Sequence, residues 1–148
     1  MPAGELIYPN GIALSQDGRT LYVADFVQGI TAVRLDSGDR TIVRHALGLT
    51  TRDIDGMYLH GNSLVAVQNG TGTGRVVRFV LSPEGDQIVR TEVLEANHPS
   101  FILPTTGTIV EDAIYVVANA QLRSFDADGN IWPHEKLHPI DIIRVPLR

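Results

Sequence analysis

Three segments of this sequence share one pattern, in which a polar residue and a glycine lead into a short apolar run and a second apolar run follows. The segments begin at Asn10-Gly11, Asp55-Gly56 and Thr106-Gly107. Their glycines are separated by about 45 and about 51 residues, a period that is typical of solenoid or propeller units. The chain is therefore expected to fold as consecutive copies of one structural unit.

Each copy has the composition of short β-strands joined by tight turns. Runs rich in Val, Ile, Tyr and Phe alternate with Gly, Asp, Asn and Ser, and apolar residues recur every second position. The clearest runs are residues 20–25, 29–35, 62–68, 75–81 and 113–118. Glycines in Asp17-Gly18, His60-Gly61-Asn62 and Glu84-Gly85-Asp86 favour hairpin turns, and no stretch keeps a helical period. The sequence predicts an all-β protein.

Three or four strands in each 40–50 residues are typical of a β-propeller blade. We predict a single half-propeller domain over residues 1–148, with four-stranded blades at about 9–48, 53–97 and 104–148. The third copy reaches Arg148 before a fourth strand, and residues 5–8 are the candidate to fill that edge, in the same chain or in a neighbour. Propellers close with about four to eight blades, so a homodimer is the simplest way to complete a six-bladed ring; the alternative is a piece of a larger propeller.

Composition excludes several classes of function. The chain has 148 residues, a net charge of −5 and no cysteine, which excludes a disulfide scaffold and a thiol nucleophile. No cluster of Lys or Arg favours nucleic acid as a partner, and no apolar run is long enough to span a membrane. Since no signal peptide is recognised either, we expect a soluble protein, cytoplasmic by default, although its compartment stays unknown.

The first copy resembles a known family. Residues 9–25, PNGIALSQDGRTLYVAD, resemble a blade motif of the senescence-marker-protein/gluconolactonase/luciferin-regenerating-enzyme family, and Asp55-Gly56-Met57 with the strand at Gly74-Arg75-Val76 resembles the next blade. The resemblance covers nearly the whole chain but only about the second half of the six-bladed family fold. Strictosidine-synthase-like and NHL-repeat propellers share much of this pattern.

This resemblance implies a divalent metal on the propeller axis, usually calcium or zinc, and hydrolysis of sugar lactones or related esters. The metal ligands that carry over are Asn10 and Asp55, with Asp55 also the expected general base. A family glutamate from the first blade lies in the half that this chain lacks. Glu5 is the acidic residue near enough in sequence to be tested as its replacement.

The positions within the repeat also suggest a site. Asn10, Asp55 and Thr106 precede equivalent glycines and are expected to ring one mouth of the axial channel, where oxygen ligands suit Ca²⁺ and, less typically, Zn²⁺. Asn-Gly and Asp-Gly are also ordinary turn dipeptides, which is the structural alternative. Asp25, Asn69 and Asn119 form a second equivalent set that either binds substrate, together with Thr106, or simply caps the turn after the second strand.

Two functions of different classes remain open. One is a metal-dependent lactone or ester hydrolase acting on a small molecule. The other is a non-catalytic half-propeller, a binding or scaffold module that assembles as a homodimer. The long connection at residues 121–141 carries Trp132, which either belongs to a flap or subunit contact or packs the loop onto its own blade.

Overall fold

The computed structural model describes residues 5–148 apart from residues 71 and 73. The described chain forms eleven β-strands and one short 3₁₀ turn at His134–Lys136, with no α-helix. No helix in this part of the chain is long and apolar enough to cross a membrane. The strands, numbered in chain order, are β1 (Pro9–Leu14), β2 (Thr20–Asp25), β3 (Gly29–Arg34), β4 (Arg40–Ile42), β5 (Ile54–His60), β6 (Ser63–Gln68), β7 (Arg75–Leu81), β8 (Ile88–Ala96), β9 (Gly107–Val110), β10 (Ala113–Val117) and β11 (Ile142–Pro146).

The strands form three antiparallel sheets that follow one another along the chain. The first sheet has the order β1-β2-β3-β4, the middle sheet β5-β6-β7-β8 and the third sheet β9-β10-β11. The innermost strand of each sheet is the one that begins with the repeated glycine motif, as in a propeller blade. The expected all-β architecture is confirmed, with three strands rather than four in the described part of the third sheet.

Residues 5–8 lie against the first sheet. The backbone N–H groups of Ile7 and Tyr8 donate to the carboxylate of Asp25, and the Tyr8 ring packs edge-on against Phe26 with 5.9 Å between centroids. Within this chain the segment therefore does not fill the edge of the third sheet. That part of the expectation was wrong because the buried carboxylate of Asp25 offers these N–H groups a nearer partner.

The predicted hairpin glycines adopt the backbone that their turns require. Gly18, Gly61 and Gly85 have φ values of 70°, 59° and 74°, which residues with a side chain rarely tolerate. Each of them joins consecutive antiparallel strands, as expected from the local sequence. The turn chemistry thus accounts for the strand boundaries on both sides of these positions.

The hydrophobic core lies in two layers between the sheets. The first layer joins the first and middle sheets through residues such as Tyr22, Ala24, Leu64, Ala66 and Phe79. The second layer joins the middle and third sheets through residues that include Val65, Val67, Ile114, Val116 and Val145. Because successive side chains of a strand point to opposite faces, the middle sheet is covered on both sides.

The first and third sheets each keep one face outside these two layers. On the first sheet this outward face carries Leu14 and Ile42, which are 48% and 38% exposed. On the third sheet it carries Val110 and Ile142, which are 50% and 55% exposed. Leu21, which lies on the same face of the first sheet as Leu14, is half-buried.

Candidate active site at the axial end of the sheets

The predicted site residues meet at one end of the sheets. Pro9 pairs with Asp25 and Ile54 pairs with Gln68, so the start of an innermost strand lies beside the end of the second strand. The register between β1 and β2 shifts between Pro9 and Ile12, and that between β5 and β6 shifts between Ile54 and Met57. These bulges contain Asn10-Gly11 and Asp55-Gly56, and a bulge re-aims the side chains that it carries.

The carboxylate of Asp55 is the centre of this end. Its Oδ1 accepts a hydrogen bond from the side-chain amide of Asn10, and its Oδ2 accepts one from the side-chain amide of Asn69. The Asn69 amide also donates to the carbonyl oxygen of Pro104 at 3.0 Å. Asn10 is exposed, while Asp55 and Asn69 are half-buried. The cluster joins all three sheets, because Pro104 precedes the innermost strand of the third.

The glycines of the repeated motif allow the innermost strands to approach each other. A Cβ at Gly11 would lie 2.5 Å from the carbonyl oxygen of Asp55 and 2.6 Å from the backbone nitrogen of Met57. A Cβ at Gly56 would lie 2.9 Å from the carbonyl oxygen of Thr105, which accepts a hydrogen bond from the Gly56 N–H. Neither glycine has a positive φ. Close packing, and not a tight turn, is therefore what these two positions require.

Thr106 lies on the third-sheet side of the same end. Its hydroxyl contacts the Tyr58 hydroxyl at 2.9 Å, and the Tyr58 oxygen also accepts a hydrogen bond from the Gly107 N–H at 2.7 Å. Sequence reasoning missed Tyr58, since nothing local distinguishes it from the other strand residues. A cleft of about 500 Å³ opens here, and its wall includes Asn10, Ile12, Asp55, Tyr58, Thr106 and Leu122.

Asp25 has a different environment from Asp55. It is fully buried, and its two oxygens accept hydrogen bonds from four backbone N–H groups, at 2.5 Å from Ile7 and 2.9 Å from Tyr8, Val27 and Gln28. Burial raises the pKa of Asp25, but the four N–H groups outweigh it and hold the pKa below its usual value. These contacts tie residues 7–8 to the turn after β2, and they occupy both oxygens.

Asn119, the member of the second predicted set that lies beside the third sheet, also bonds to backbone. Its amide donates to the carbonyl oxygen of Pro139 at 2.8 Å, and its Oδ1 accepts from the N–H of Asp141 at 2.8 Å. These bonds connect the two ends of the long connection between β10 and β11. Of the second predicted set, only Asn69 has a side chain in contact with Asp55.

The oxygen donors at this end suit a hard divalent cation, which prefers carboxylate, carbonyl and amide oxygens. An asparagine amide can rotate and present its oxygen in place of its nitrogen, so Asn10, Asp55 and Asn69 could supply three ligands. Among the described residues, no group of three or more His, Cys, Asp or Glu side chains lies close enough to hold a metal. Glu5 does not line the cleft; its carbonyl oxygen accepts a hydrogen bond from the side chain of Gln28.

Comparison with known proteins gives a family match and several structural likenesses. A family model described as the SMP-30/gluconolactonase/LRE-like region matches residues 2–118. A search of curated proteins found no match.

Solved structures share the fold at low sequence identity. A gluconolactonase from Xanthomonas campestris matches with a TM-score of 0.62 and 16% identity, over 97% of this chain and 45% of that protein. A PQQ-bound aldose sugar dehydrogenase from Streptomyces coelicolor matches with a TM-score of 0.60 and 20% identity, over 78% of this chain and 39% of that one. A luciferin-regenerating enzyme matches with a TM-score of 0.54 and 17% identity, over 95% of this chain and 45% of that enzyme. The chain thus spans less than half the length of these propeller proteins.

Proposed function

Since the chain belongs to the SMP-30/gluconolactonase/LRE-like family, we propose that it supplies the metal-binding half of a lactone or ester hydrolase of the gluconolactonase type. The single observation that carries this proposal is the position of the Asp55 carboxylate between the amides of Asn10 and Asn69, at the wall of an open cleft. Asn10 and Asp55 are the metal ligands, Asn69 is a third candidate, and Asp55 is the general base.

The chemistry at this end needs one proton acceptor and groups that orient the substrate. A bound divalent cation, Ca²⁺ or less typically Zn²⁺, would polarise the lactone carbonyl and lower the pKa of water. Asp55 takes a proton from the attacking water as the oxygen adds to the carbonyl carbon. The ring carbon–oxygen bond then breaks, and the proton passes to the departing alkoxide. Thr106 and Tyr58 offer hydroxyls across the cleft for the hydroxyls of a sugar.

Hydrolysis of gluconolactone above its spontaneous rate tests this proposal. We expect activity that a chelator removes and that Ca²⁺ or Zn²⁺ restores, and we expect Asp55→Asn to lower the rate about a hundredfold or more. Asp128→Asn, in an exposed turn of the long connection, is the matched control and should keep the rate. Full activity in Asp55→Asn would overturn the assignment.

We also propose that a second copy of this chain completes the ring. Leu64 and Ala66 of the middle sheet face the first sheet, and Ile114 and Val116 of the third sheet face the middle one. The matching face of the first sheet, with Leu21, belongs to neither core layer. The opposite faces of the sheets repeat in the same way. Tyr22 and Ala24 of the first sheet hold the positions that Val65 and Val67 hold in the middle sheet, and each pair faces the next sheet along the chain. Tyr115 and Val117 hold these positions in the third sheet, where that face is open. Each open face is therefore of the kind that packs against the other.

Light scattering tests the assembly directly. We expect a mass near twice 16.1 kDa for the unmodified chain and a monomer for Leu14→Asp, because a charge on the outward face of the first sheet would be buried in the ring. Val89→Asp is the control, since Val89 is 58% exposed on β8 at the outer edge of the middle sheet. A monomeric unmodified chain, or equal dissociation in both variants, would contradict ring closure by a second copy.

A non-catalytic binding or scaffold module is the second candidate. It is favoured by the wall of the axial cleft, where Asp55 is the one acidic residue among the described residues that line it, and by the absence from the described residues of any group of three or more His, Cys, Asp or Glu side chains that could hold a metal. In this case the cleft would bind a small molecule without hydrolysing it. Protein that forms a dimer, binds no divalent metal and shows no lactone hydrolysis would establish this alternative.

A further inference from the structure

The long connection between β10 and β11 forms a second cleft beside the first. Gly107 at the start of β9 pairs with Val116 near the end of β10, so residues 118–141 leave the third sheet at the same end as Asp55. The cleft measures about 310 Å³, at the small end of the range for ligand sites. Its wall includes Leu122, Arg123, Trp132, Lys136 and His138. Leu122 is shared with the axial cleft.

Hydrogen bonds within the connection fix the shape of this cleft. The Gln121 side chain donates to the carbonyl oxygen of His138 and accepts from its N–H, both at 2.8 Å. The N–H of Trp132 donates to the carbonyl oxygen of Ser124 at 2.9 Å. Asn119 holds the far end of the connection through Pro139 and Asp141. The shape of the cleft is thus fixed by specific hydrogen bonds, although the regular structure of residues 118–141 is limited to a 3₁₀ turn and two isolated bridges, Leu103 with Asn119 and Phe125 with Ile131.

The charges at this cleft have one sign. Arg123 and Lys136 line it, and neither forms an ion pair within the described residues. None of the lining residues is acidic, in a chain whose net charge is −5. The sequence contains one lysine, Lys136, and one tryptophan, Trp132, and both line this cleft. These two cationic side chains form no ion pair within the described residues, and they line a cleft whose shape is fixed by hydrogen bonds. Such an arrangement attracts an anionic ligand.

The other side of the cleft is apolar. Leu122 is 61% and Trp132 is 39% exposed, and Ile102 and Leu103 continue the wall. A tryptophan provides a flat apolar surface of the kind on which the C–H face of a sugar ring packs. A small ligand that satisfies both sides combines such a ring with an anionic group.

We propose that this cleft binds a monosaccharide that carries a carboxylate or a phosphate. Arg123 and Lys136 bind the anionic group, and Trp132 packs against the sugar ring. Because Leu122 lies in the walls of both clefts, the ligand would lie next to the axial cleft that Asp55 lines. The substrate class that follows, a lactone or ester that bears an anionic group, rests on the proposed function, but the binding itself does not.

Fluorescence of the one tryptophan measures this binding without any turnover. The probes are glucuronate, glucose 6-phosphate, inorganic phosphate and neutral glucose, each titrated into the unmodified chain. We expect saturable quenching by glucuronate or glucose 6-phosphate, with the stronger of the two identifying the anionic group. Glucose and inorganic phosphate should bind at least about tenfold more weakly, because each satisfies one side of the cleft. Equal quenching by glucose, or no saturation by either anionic sugar below about 10 mM, would overturn the proposal.

Variants separate this proposal from the proposed function. Arg123→Gln and Lys136→Gln should each weaken binding of the anionic sugar about tenfold, whereas Arg40→Gln, an exposed arginine on β4, should not. Because the fluorescence titration needs no turnover, binding of the anionic sugar should be found even if the chain shows no lactone hydrolysis at all, so the two proposals can fail separately. Equal weakening by Arg40→Gln would show a non-specific charge effect and overturn the assignment of Arg123 and Lys136.

Discussion

Asp25 and Asp55 are aspartates at the same end of adjacent sheets, yet their surroundings differ. Asp25 is fully buried and accepts hydrogen bonds from four backbone N–H groups. Asp55 is half-buried and accepts from the side-chain amides of Asn10 and Asn69. One carboxylate is enclosed by the fold, and the other faces an open cleft.

The difference lies in what the donors can do. A backbone N–H cannot become an acceptor. The two carboxylate oxygens of Asp25 therefore only hold residues 7–8 and the turn after β2 together. A side-chain amide can rotate and offer its oxygen, so the groups around Asp55 can change partner when a cation or substrate arrives. We therefore propose a structural role for Asp25, beside the chemical role proposed for Asp55.

The largest effect that separates the two residues is on folding stability. Asp25→Ala leaves four backbone N–H groups without the buried carboxylate that accepts from them, and we expect it to lower the free energy of unfolding by about 4 kcal/mol. Asp55→Ala, in a solvated cleft, should cost less than about 1 kcal/mol. Urea denaturation of both variants measures this. Equal losses would remove the distinction between the two aspartates.

The pH dependence of stability gives the next effect. The pKa of Asp25 is held below its usual value by the four N–H groups that outweigh its burial, so its contribution is complete above the unfolded value of about 3.9. It is lost as the pH falls through the lower folded value. The difference in Tm between the unmodified chain and Asp25→Asn should therefore shrink from pH 6 to pH 3. A constant difference would contradict the role of the charge.

The asparagines that follow the second strands repeat the comparison on a smaller scale. Asn119→Ala removes two bonds to backbone and should destabilise the fold by about 2 kcal/mol without changing calcium affinity. Asn69→Ala should cost about 1 kcal/mol and weaken calcium binding about tenfold. Thermal melts and calcium titrations of both variants test this pair. Calcium affinity that falls equally in both would reject Asn69 as a ligand.

The smallest effect concerns Tyr58. Tyr58→Phe removes the hydroxyl that contacts Thr106 and Gly107, and we expect a loss of about 1 kcal/mol in unfolding free energy. Tyr115→Phe, in a half-buried tyrosine on the outward face of the third sheet, is the control and should cost less. Equal values would show that the Tyr58 hydroxyl does not support the third sheet.

The elements of the fold could be predicted because they depend on local sequence. Alternating apolar residues predicted the strands, and Gly18, Gly61 and Gly85 predicted the hairpins that the structure contains. The role of Gly11 and Gly56 could not be found this way, because it depends on a neighbouring sheet about 45 residues away. A local pattern therefore suggested a turn where the structure has close packing.

The candidate site was predicted only in part for the same reason. Asn10, Asp55 and Thr106 were placed at one end by the repeat alone, and the structure brings them to one cleft. Asp25, Asn69 and Asn119 were predicted as one equivalent set. In the structure Pro9 pairs with Asp25 and Ile54 with Gln68, so Gln68 and not Asn69 holds the position of Asp25 in the middle sheet. The partners of the set come from residues 7–8, from Asp55 and Pro104, and from the long connection. The repeat predicts where these residues lie along the strands, but it does not predict the hydrogen-bond partners that other segments supply, so it could not distinguish the three residues.

The most direct test of the central claim is a calorimetric titration of Ca²⁺ into metal-free protein, repeated with Asp55→Asn and with Asp25→Asn at a temperature where both are folded. Our account predicts saturable binding to the unmodified chain, loss of that binding in Asp55→Asn and retention in Asp25→Asn. Binding that survives in Asp55→Asn, or a chain that binds neither Ca²⁺ nor Zn²⁺, would contradict it.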